Sequence, residues 1–252
     1  MKGLHFAKPL EYRVEIPGDE FVQGKPLLGR MSVINRDSKA HKGLSLEIGL
    51  AYGDFKELKE SGKAALKILD RTQLAKGFSL KPGEEKQVEW EFPLGSDAPI
   101  QSSDGGPFLL YGGNLDSTQG RGQLDLPVQL SPPLATFITT LENHFAFESR
   151  GCKCEKGVVT VRLKPPGSYP TLDELFVSFK LDAKSVHLGF TGRGKGIKRT
   201  AGGGLEIKQN KTRKKVPLNQ FILHNAMPNR ALYRDLISTM LPNIAQRVEK
   251  KR

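Results

Sequence analysis

The sequence predicts an all-β chain built as two tandem β-sandwiches and closed by a C-terminal helix. Three observations lead there. Apolar and polar residues alternate with a period of two in run after run, Gly/Pro turn signals separate those runs, and a double proline stands near the middle of the chain. A two-residue period suits a half-buried strand, because successive side chains point to opposite faces of a sheet. There are more such runs than one small sandwich uses, which suggests two.

In chain order, Tyr12, Val14 and Ile16 alternate with Arg13 and Glu15, and Pro17-Gly18-Asp19 then turns the chain. Leu44, Leu46, Ile48 and Leu50 share one face of the next long run. The stretch from Asp54 to Leu69 has helix-forming residues, but Gly62 interrupts it, so it fits a broken helix or a hairpin arm equally well. After the Pro82-Gly83-Glu84 turn, Val88, Trp90, Phe92 and Leu94 face one way and two glutamates the other. Leu124, Leu126, Val128 and Leu130 lead into Ser131-Pro132-Pro133, where the prolines stop sheet hydrogen bonding. The boundary is placed there, giving domains 1–130 and 131–226. In the second domain the faces are Val159/Val161/Leu163, Leu175/Val177/Phe179/Leu181 and Val186/Leu188/Phe190. From Asn229 to Val248 the pattern changes: Leu232, Leu236, Met240, Ile244 and Val248 recur every four residues, widened by Ile237 and Leu241. That is an amphipathic helix, with Pro242 expected to bend or split it. Residues 227–252 are therefore set apart as helix and basic tail.

A chain of 252 residues with 37% hydrophobic and 26% charged residues has the apolar material for real cores. No apolar run reaches the ~18–20 residues that cross a bilayer. Lys8 and Pro9 arrive too early for a secretory hydrophobic region. Two cysteines do not staple a fold of this size, and the expected location is a reducing compartment, the cytoplasm.

Charge is more informative. The net charge is +12, yet residues 1–126 hold 17 basic and 18 acidic side chains, while residues 127–252 hold 22 basic and 9 acidic. The whole excess sits in the second half. Such asymmetry implies an anionic partner, or serves solubility.

Catalytic patterns are missing. The five histidines have no helical metal-ligand spacing, and Cys152-Lys153-Cys154, read as a turn, has no second pair to complete a zinc site. Gly192-Arg193-Gly194-Lys195-Gly196 lacks the Gly-Lys-Ser/Thr and helix of a phosphate loop, and is read as a glycine-rich hairpin between strands. A hydrolase would have to assemble its site from distant residues such as His144, Asp173 and His187. The expectation is thus no enzyme, no metal, no cofactor and no small-molecule substrate.

The remaining feature is basic. Arg193, Lys195, Lys198, Arg199, Lys208, Lys211, Arg213, Lys214 and Lys215 crowd residues 193–215 against the single acid Glu206, and residues 247–252 add four more cations. These nine are the candidate partner-binding residues. An acidic or phosphorylated protein segment is the leading partner, with an anionic membrane surface or nucleic acid as alternatives. No aromatic residue lies between 193 and 215 to stack on bases, which weighs against single-stranded nucleic acid.

Several motifs also resemble a known family. Tyr12 to Gly29, with its Pro17-Gly18 turn, resembles the opening of an arrestin-like domain, as do Phe78 to Glu85, Trp90 to Pro93 and Ala98 to Ile100. Leu141 to Phe147 resembles the helix or strand that opens the second domain of the bacterial sporulation-control branch, the sporulation stage-zero M family, and Leu172 to Phe179 resembles one of its later strands. The resemblance spans most of residues 10–192. It implies two arrestin-like sandwiches in a non-enzymatic adaptor or regulator that binds proteins through its sheets and interdomain groove. Two departures stand out: Leu115-Asp116 leads into Ser117 to Arg121 where the family has an acid-rich link, and this chain is basic where the family is acidic.

Overall fold

The chain forms two compact units, Met1–Gln129 and Leu130–Arg252. The computed structural model describes every residue except 103–104, 156, 183, 200–204, 225 and 250–252. Within strands and helices it describes the backbone alone at 155, 195–199, 205–208 and 245–249.

The first unit runs β1 (Lys2–Ala7), β2 (Leu10–Glu15), β3 (Phe21–Val22), β4 (Leu27–Asn35), β5 (His41–Asp54), α1 (Phe55–Ser61), β6 (Lys67–Leu80), β7 (Glu85–Phe92), β8 (Gly105–Gly112), β9 (Arg121–Asp125) and β10 (Val128–Gln129). Two four-stranded antiparallel sheets result, ordered β1-β2-β4-β7 and β6-β5-β8-β9, with β3 and β10 forming a short parallel pair. The alternating residues Tyr12, Val14, Met31, Val33, Trp90 and Phe92 of one sheet, and Leu46, Ile48, Leu50, Leu109 and Tyr111 of the other, are buried as their period requires. Gly29 is glycine for a spatial reason: a Cβ there would meet the Trp90 ring at 2.4 Å. β8 shows no alternation, because every one of its residues is buried. Phe108 and Leu110 pack with Ala51, Leu66 and Leu115 in a further apolar cluster roofed by Phe55 and Leu58 of α1.

The ambiguous stretch 54–69 resolves into both alternatives. Asp54 caps α1 by accepting hydrogen bonds from the backbone N–H groups of Lys56 and Glu57, Gly62 at φ +58° stops it, and the chain then enters the long strand β6.

The second unit runs α2 (Pro132–Phe145), β11 (Glu148–Glu155), β12 (Val158–Lys164), β13 (Leu172–Leu181), β14 (Ser185–Arg199), β15 (Leu205–Pro217), α3 (Leu218–Phe221) and α4 (Arg230–Glu249). The strands make one antiparallel sheet in sequence order. One layer of this unit is the sheet and the other is helical. Helix α2, absent from the periodicity reading, begins at the double proline. Proline is well placed in a first helical turn, where its missing N–H has no partner to lose. Leu134, Phe137, Ile138 and Leu141 then bury one stripe. The Phe137 ring meets Phe179 of β13 at 5.3 Å, Phe190 of β14 at 6.3 Å, Phe221 of α3 at 6.0 Å and Tyr233 of α4 at 5.2 Å.

Helix α4 runs through Pro242 as one element rather than splitting, and Pro242 lies on its exposed side. Its buried face is Tyr233, Leu236, Ile237, Met240, Leu241 and Ile244. Two sequence expectations are corrected. Cys152 and Cys154 lie on strand β11, paired with Val161 and Val159, not in a turn. Gly192 and Gly194 lie inside β14, not in a loop, and a Cβ on Gly192 would meet Ile244 of α4 at 2.3 Å. The glycine lets the helix approach the sheet.

Phe137→Ala removes the ring on which four aromatic neighbours converge, and is expected to cost about 3–5 kcal/mol in urea unfolding. Thr139→Ala, on the exposed side of the same helix, is expected to stay within about 0.5 kcal/mol.

Candidate anion-binding face

With the inner face of the second sheet committed to the helices, period two sends the alternate residues outward. The register assembles them into rows across the strands. One row is Val158, Lys180, His187 and Lys215; the next is Thr160, Ser178, Gly189 and Arg213; a third is Arg162, Phe176, Thr191 and Lys211. Ser178 and Gly189 of the middle row are short in side chain, so they form the floor of an open groove of about 580 Å³. Gly189 leaves the floor open: a Cβ there would meet the Ser178 hydroxyl oxygen at 2.4 Å and oblige it to turn. Around this floor stand Lys180, Arg213 and Lys215, with Asp182 and His187 at one end.

Two described acids beside the groove, Glu174 and Asp182, are already engaged. Glu174, 9% exposed, accepts hydrogen bonds from Arg162 Nε at 2.6 Å and Arg193 Nη1 at 2.8 Å. The Arg193 guanidinium also lies 5.7 Å from the Phe176 ring centre. Arg193 is therefore a structural cation, held by Glu174. Asp182 accepts from the backbone N–H of Lys184 at 2.9 Å and of Ser185 at 2.7 Å, and from the Ser185 hydroxyl at 2.7 Å, and it lies 2.8 Å from His187 Nε2. The Lys184 N–H foremost, then the Ser185 hydroxyl and His187, hold its carboxyl well below the usual carboxylate range. Arg213 and Lys215, by contrast, make no ion pair with the described residues.

The nine sequence candidates therefore separate. Arg213 and Lys215 stand on the groove, and Lys211 lies in the next row of the same face. Lys214 also borders the groove, but it pairs in register with the core residue Leu188, which turns its side chain to the other face of β15. Lys195, Lys198, Arg199 and Lys208 have backbone in β14 and β15, but their side chains lie outside the described residues, as does the hairpin tip at 200–204. Lys180, thirty residues before the densest cations, was missed by sequence reading; its signal was the alternation of β13, which puts it on the side away from Phe179.

Among the described residues the candidate catalytic side chains do not assemble into a working geometry. Ser185, His187 and Asp182 adjoin, but the same His187 nitrogen faces Asp182 at 2.8 Å and Ser185 at 3.5 Å, and the serine hydroxyl is spent on the acid. A nucleophilic triad places histidine between the other two through its two different nitrogens. His144 stands on α2, 3.0 Å from Arg234 of α4, whereas His187 is on the opposite side of the sheet, so the hydrolase set His144, Asp173 and His187 is not brought together. No group of three metal-ligating side chains occurs among the described residues. Burial pushes the Cys152 thiol up to about 12, with the Cys154 thiol adding to it. Among the described residues no helix is long and apolar enough to cross a membrane.

These features define a mostly β protein of two units with a C-terminal helix and a basic, grooved outer face on its second sheet. Among solved structures it is similar to Spo0M, the sporulation control protein of Bacillus subtilis, with a TM-score of 0.69 over 93% of this chain and 98% of that one. Identity is 17%, so the likeness is one of fold. Two β-glucosidases also align in part: that of Listeria innocua at TM-score 0.30 and 17% identity over 48% of this chain and 16% of its own, and that of Erythrobacter marinus at 0.31 and 13% over 48% and 15%. Overlap of that quality carries no argument about chemistry. No protein-family model and no curated protein matches the sequence.

Asp182 gives the face a pH signature. A carboxyl depressed in the folded state contributes stability above its unfolded pKa, near 3.8, and loses it as pH falls through the lower folded value. The melting-temperature gap between the wild-type protein and Asp182→Asn is expected to be full at pH 5–7 and to narrow steadily below about pH 4. Calorimetry across pH 2–7 reads it.

Proposed function

We propose that this chain is a non-enzymatic, arrestin-like adaptor or regulatory protein of sporulation-control type, acting in the cytoplasm, which holds an acidic or phosphorylated segment of a partner protein on the outer face of its second unit. The observation that carries the reading is the groove itself, floored by Ser178 and Gly189 and ringed by Lys180, Arg213 and Lys215 while the nearby acids are occupied. Ion pairing with a carboxylate or phosphoryl group there gains hydrogen bonds to charged acceptors, which are stronger than neutral ones. The likeness to Spo0M supports the regulatory class, and the absence of catalytic spacing in the sequence supports a binding role.

Nucleic acid is the second reading, favoured by the charge of the second half. The face offers little for base stacking: Phe176 is half-buried and lies beneath Arg193.

Fluorescence anisotropy with a labelled ten-residue peptide alternating Glu and Thr, its phosphothreonine counterpart, and labelled duplex DNA separates the readings. Exchanging Lys180, Arg213 and Lys215 together for glutamate is expected to weaken peptide binding at least tenfold, about 1.4 kcal/mol. These are exposed side chains, so the melting temperature should move by only about 1–2 °C per substitution. Undiminished peptide binding by the triple variant removes the groove from the mechanism. Tight DNA binding whose log affinity falls linearly with log salt, at about −0.9 per phosphate neutralised, in the absence of peptide binding, establishes the nucleic-acid reading instead.

A further inference from the structure

Strand β15 ends the second sheet: β14 pairs with one of its edges, and among the described residues no further strand lies beyond the other. Between Thr212 and Val216 the described backbone hydrogen bonds of β15 run to β14 alone. The side chains fit an uncovered edge, with Arg213, Lys214 and Lys215 exposed and Thr212 half-buried, while Val216 closes the inner side. α4 reaches β15 lower down, where the Asn210 amide lies 3.5 Å from the Ile244 carbonyl. An open edge is a row of unpaired backbone donors and acceptors, and natural proteins guard such rows with charge.

The guard here is one-signed. A second copy pairing through this edge would set cations against cations, which destabilises a strand pair. The same three cations attract a strand that carries acids. Arg213 and Lys215 point to the same face, two residues and roughly 6.6–6.8 Å apart, and Arg213 closes the end of the groove floor. An extended segment lying along β15 with acids at alternate positions places one over each, at the close Cβ spacing of cross-strand pairs. A helix presenting acids, or a compact acidic cluster, matches neither this spacing nor the backbone groups.

We propose that the free edge of β15, Thr212 to Val216, is a docking site for an extended acidic segment of a partner protein, which joins the sheet as a sixth strand with alternate acidic side chains facing Arg213 and Lys215. This rests on the reading of the basic face as the acceptor of an acidic protein segment, and adds to it the edge, the backbone pairing and the side-chain pattern. The partner's main chain supplies part of the affinity, and its alternate acids set the register.

The test uses the full chain and the alternating Glu/Thr peptide, with two analogues of equal charge. One is N-methylated on the amides of its glutamates, the other on those of its threonines. In an added strand only alternate N–H groups point at the edge. One analogue should therefore lose at least tenfold in affinity while the other binds within about threefold of the parent. In the complex, amide hydrogen exchange should slow across residues 212–216. Arg213→Gln and Lys215→Gln should each weaken the parent peptide severalfold more than Lys214→Gln, which removes the same charge from the same strand. If both analogues bind like the parent, or both lose equally, strand addition is overturned while an acid-binding face stands. If no acidic peptide binds at all, the functional reading falls and this inference with it.

Discussion

The character of the outer face is set on the other side of the sheet, at Phe137. Its ring touches aromatic rings from two strands and two other helices, so one side chain ties α2, α3 and α4 to the same face of β13 and β14. Once that face is dry, the pleat leaves no freedom. Every second residue of each strand must face away from the helices, and burying its polar groups without partners would cost free energy. The polar and basic residues of the second half therefore collect on one surface because the apolar ones have been collected on the other. A one-residue slip in β14 would bring His187 and Arg193 to the helices and Leu188 and Phe190 to water, which is why the register is so firmly held.

Charge on that surface is then sorted by what each cation finds nearby. Glu174 is nearly buried and meets two guanidinium groups, an arrangement in which each partner lowers the cost of keeping the other out of water. Arg162 and Arg193 consequently serve the sheet. Asp182 is satisfied by two backbone N–H groups and a hydroxyl at the turn between β13 and β14, so it offers little to Lys180 or Lys215. Among the described residues, part of the second half's positive charge is thus neutralised within the sheet, while Lys180, Arg213 and Lys215 stand beside a small-residue floor.

Much of this architecture was legible in the sequence. Most of the alternating runs in both units appear as strands with the expected faces buried, though the run from Leu124 to Leu130 is divided between β9 and β10; Gly62 breaks the 54–69 stretch, and the apolar stripe after Asn229 is a helix. What escaped did so for identifiable reasons. β8 is buried on both faces, so it carries no period. The double proline of α2 reads as an interruption, although the same residues open a helix when their missing N–H groups fall in the first turn. The glycines of β14 look like loop residues in isolation, and only the approach of Ile244 explains Gly192. For the candidate site, the cluster 211–215 was visible as composition, but its division was not. Counting cations along a strand merges two faces, whereas register separates Lys214 from Arg213 and Lys215 and brings in Lys180 from a different strand.

Gly189 shows how small a sequence feature the groove depends on. Between Ser178 and Arg213 any side chain would fill the floor, and the nearest obstacle is the Ser178 hydroxyl, which has only a long 3.4 Å contact with the Gly189 carbonyl. A hydroxyl so weakly engaged can turn to donate to an oxyanion, while the flanking lysines and arginine neutralise it from the rim. Glycine in the interior of a strand ordinarily weakens it, through lost packing and greater chain entropy. Here the neighbouring strands β13 and β15 hold β14 on both sides, so the sheet tolerates the gap. A residue that is unfavourable for the strand yet opens the floor of a cationic groove fits a surface shaped for contact better than one shaped for solubility, because solubility asks only for exposed charge and never for a hollow between the charges.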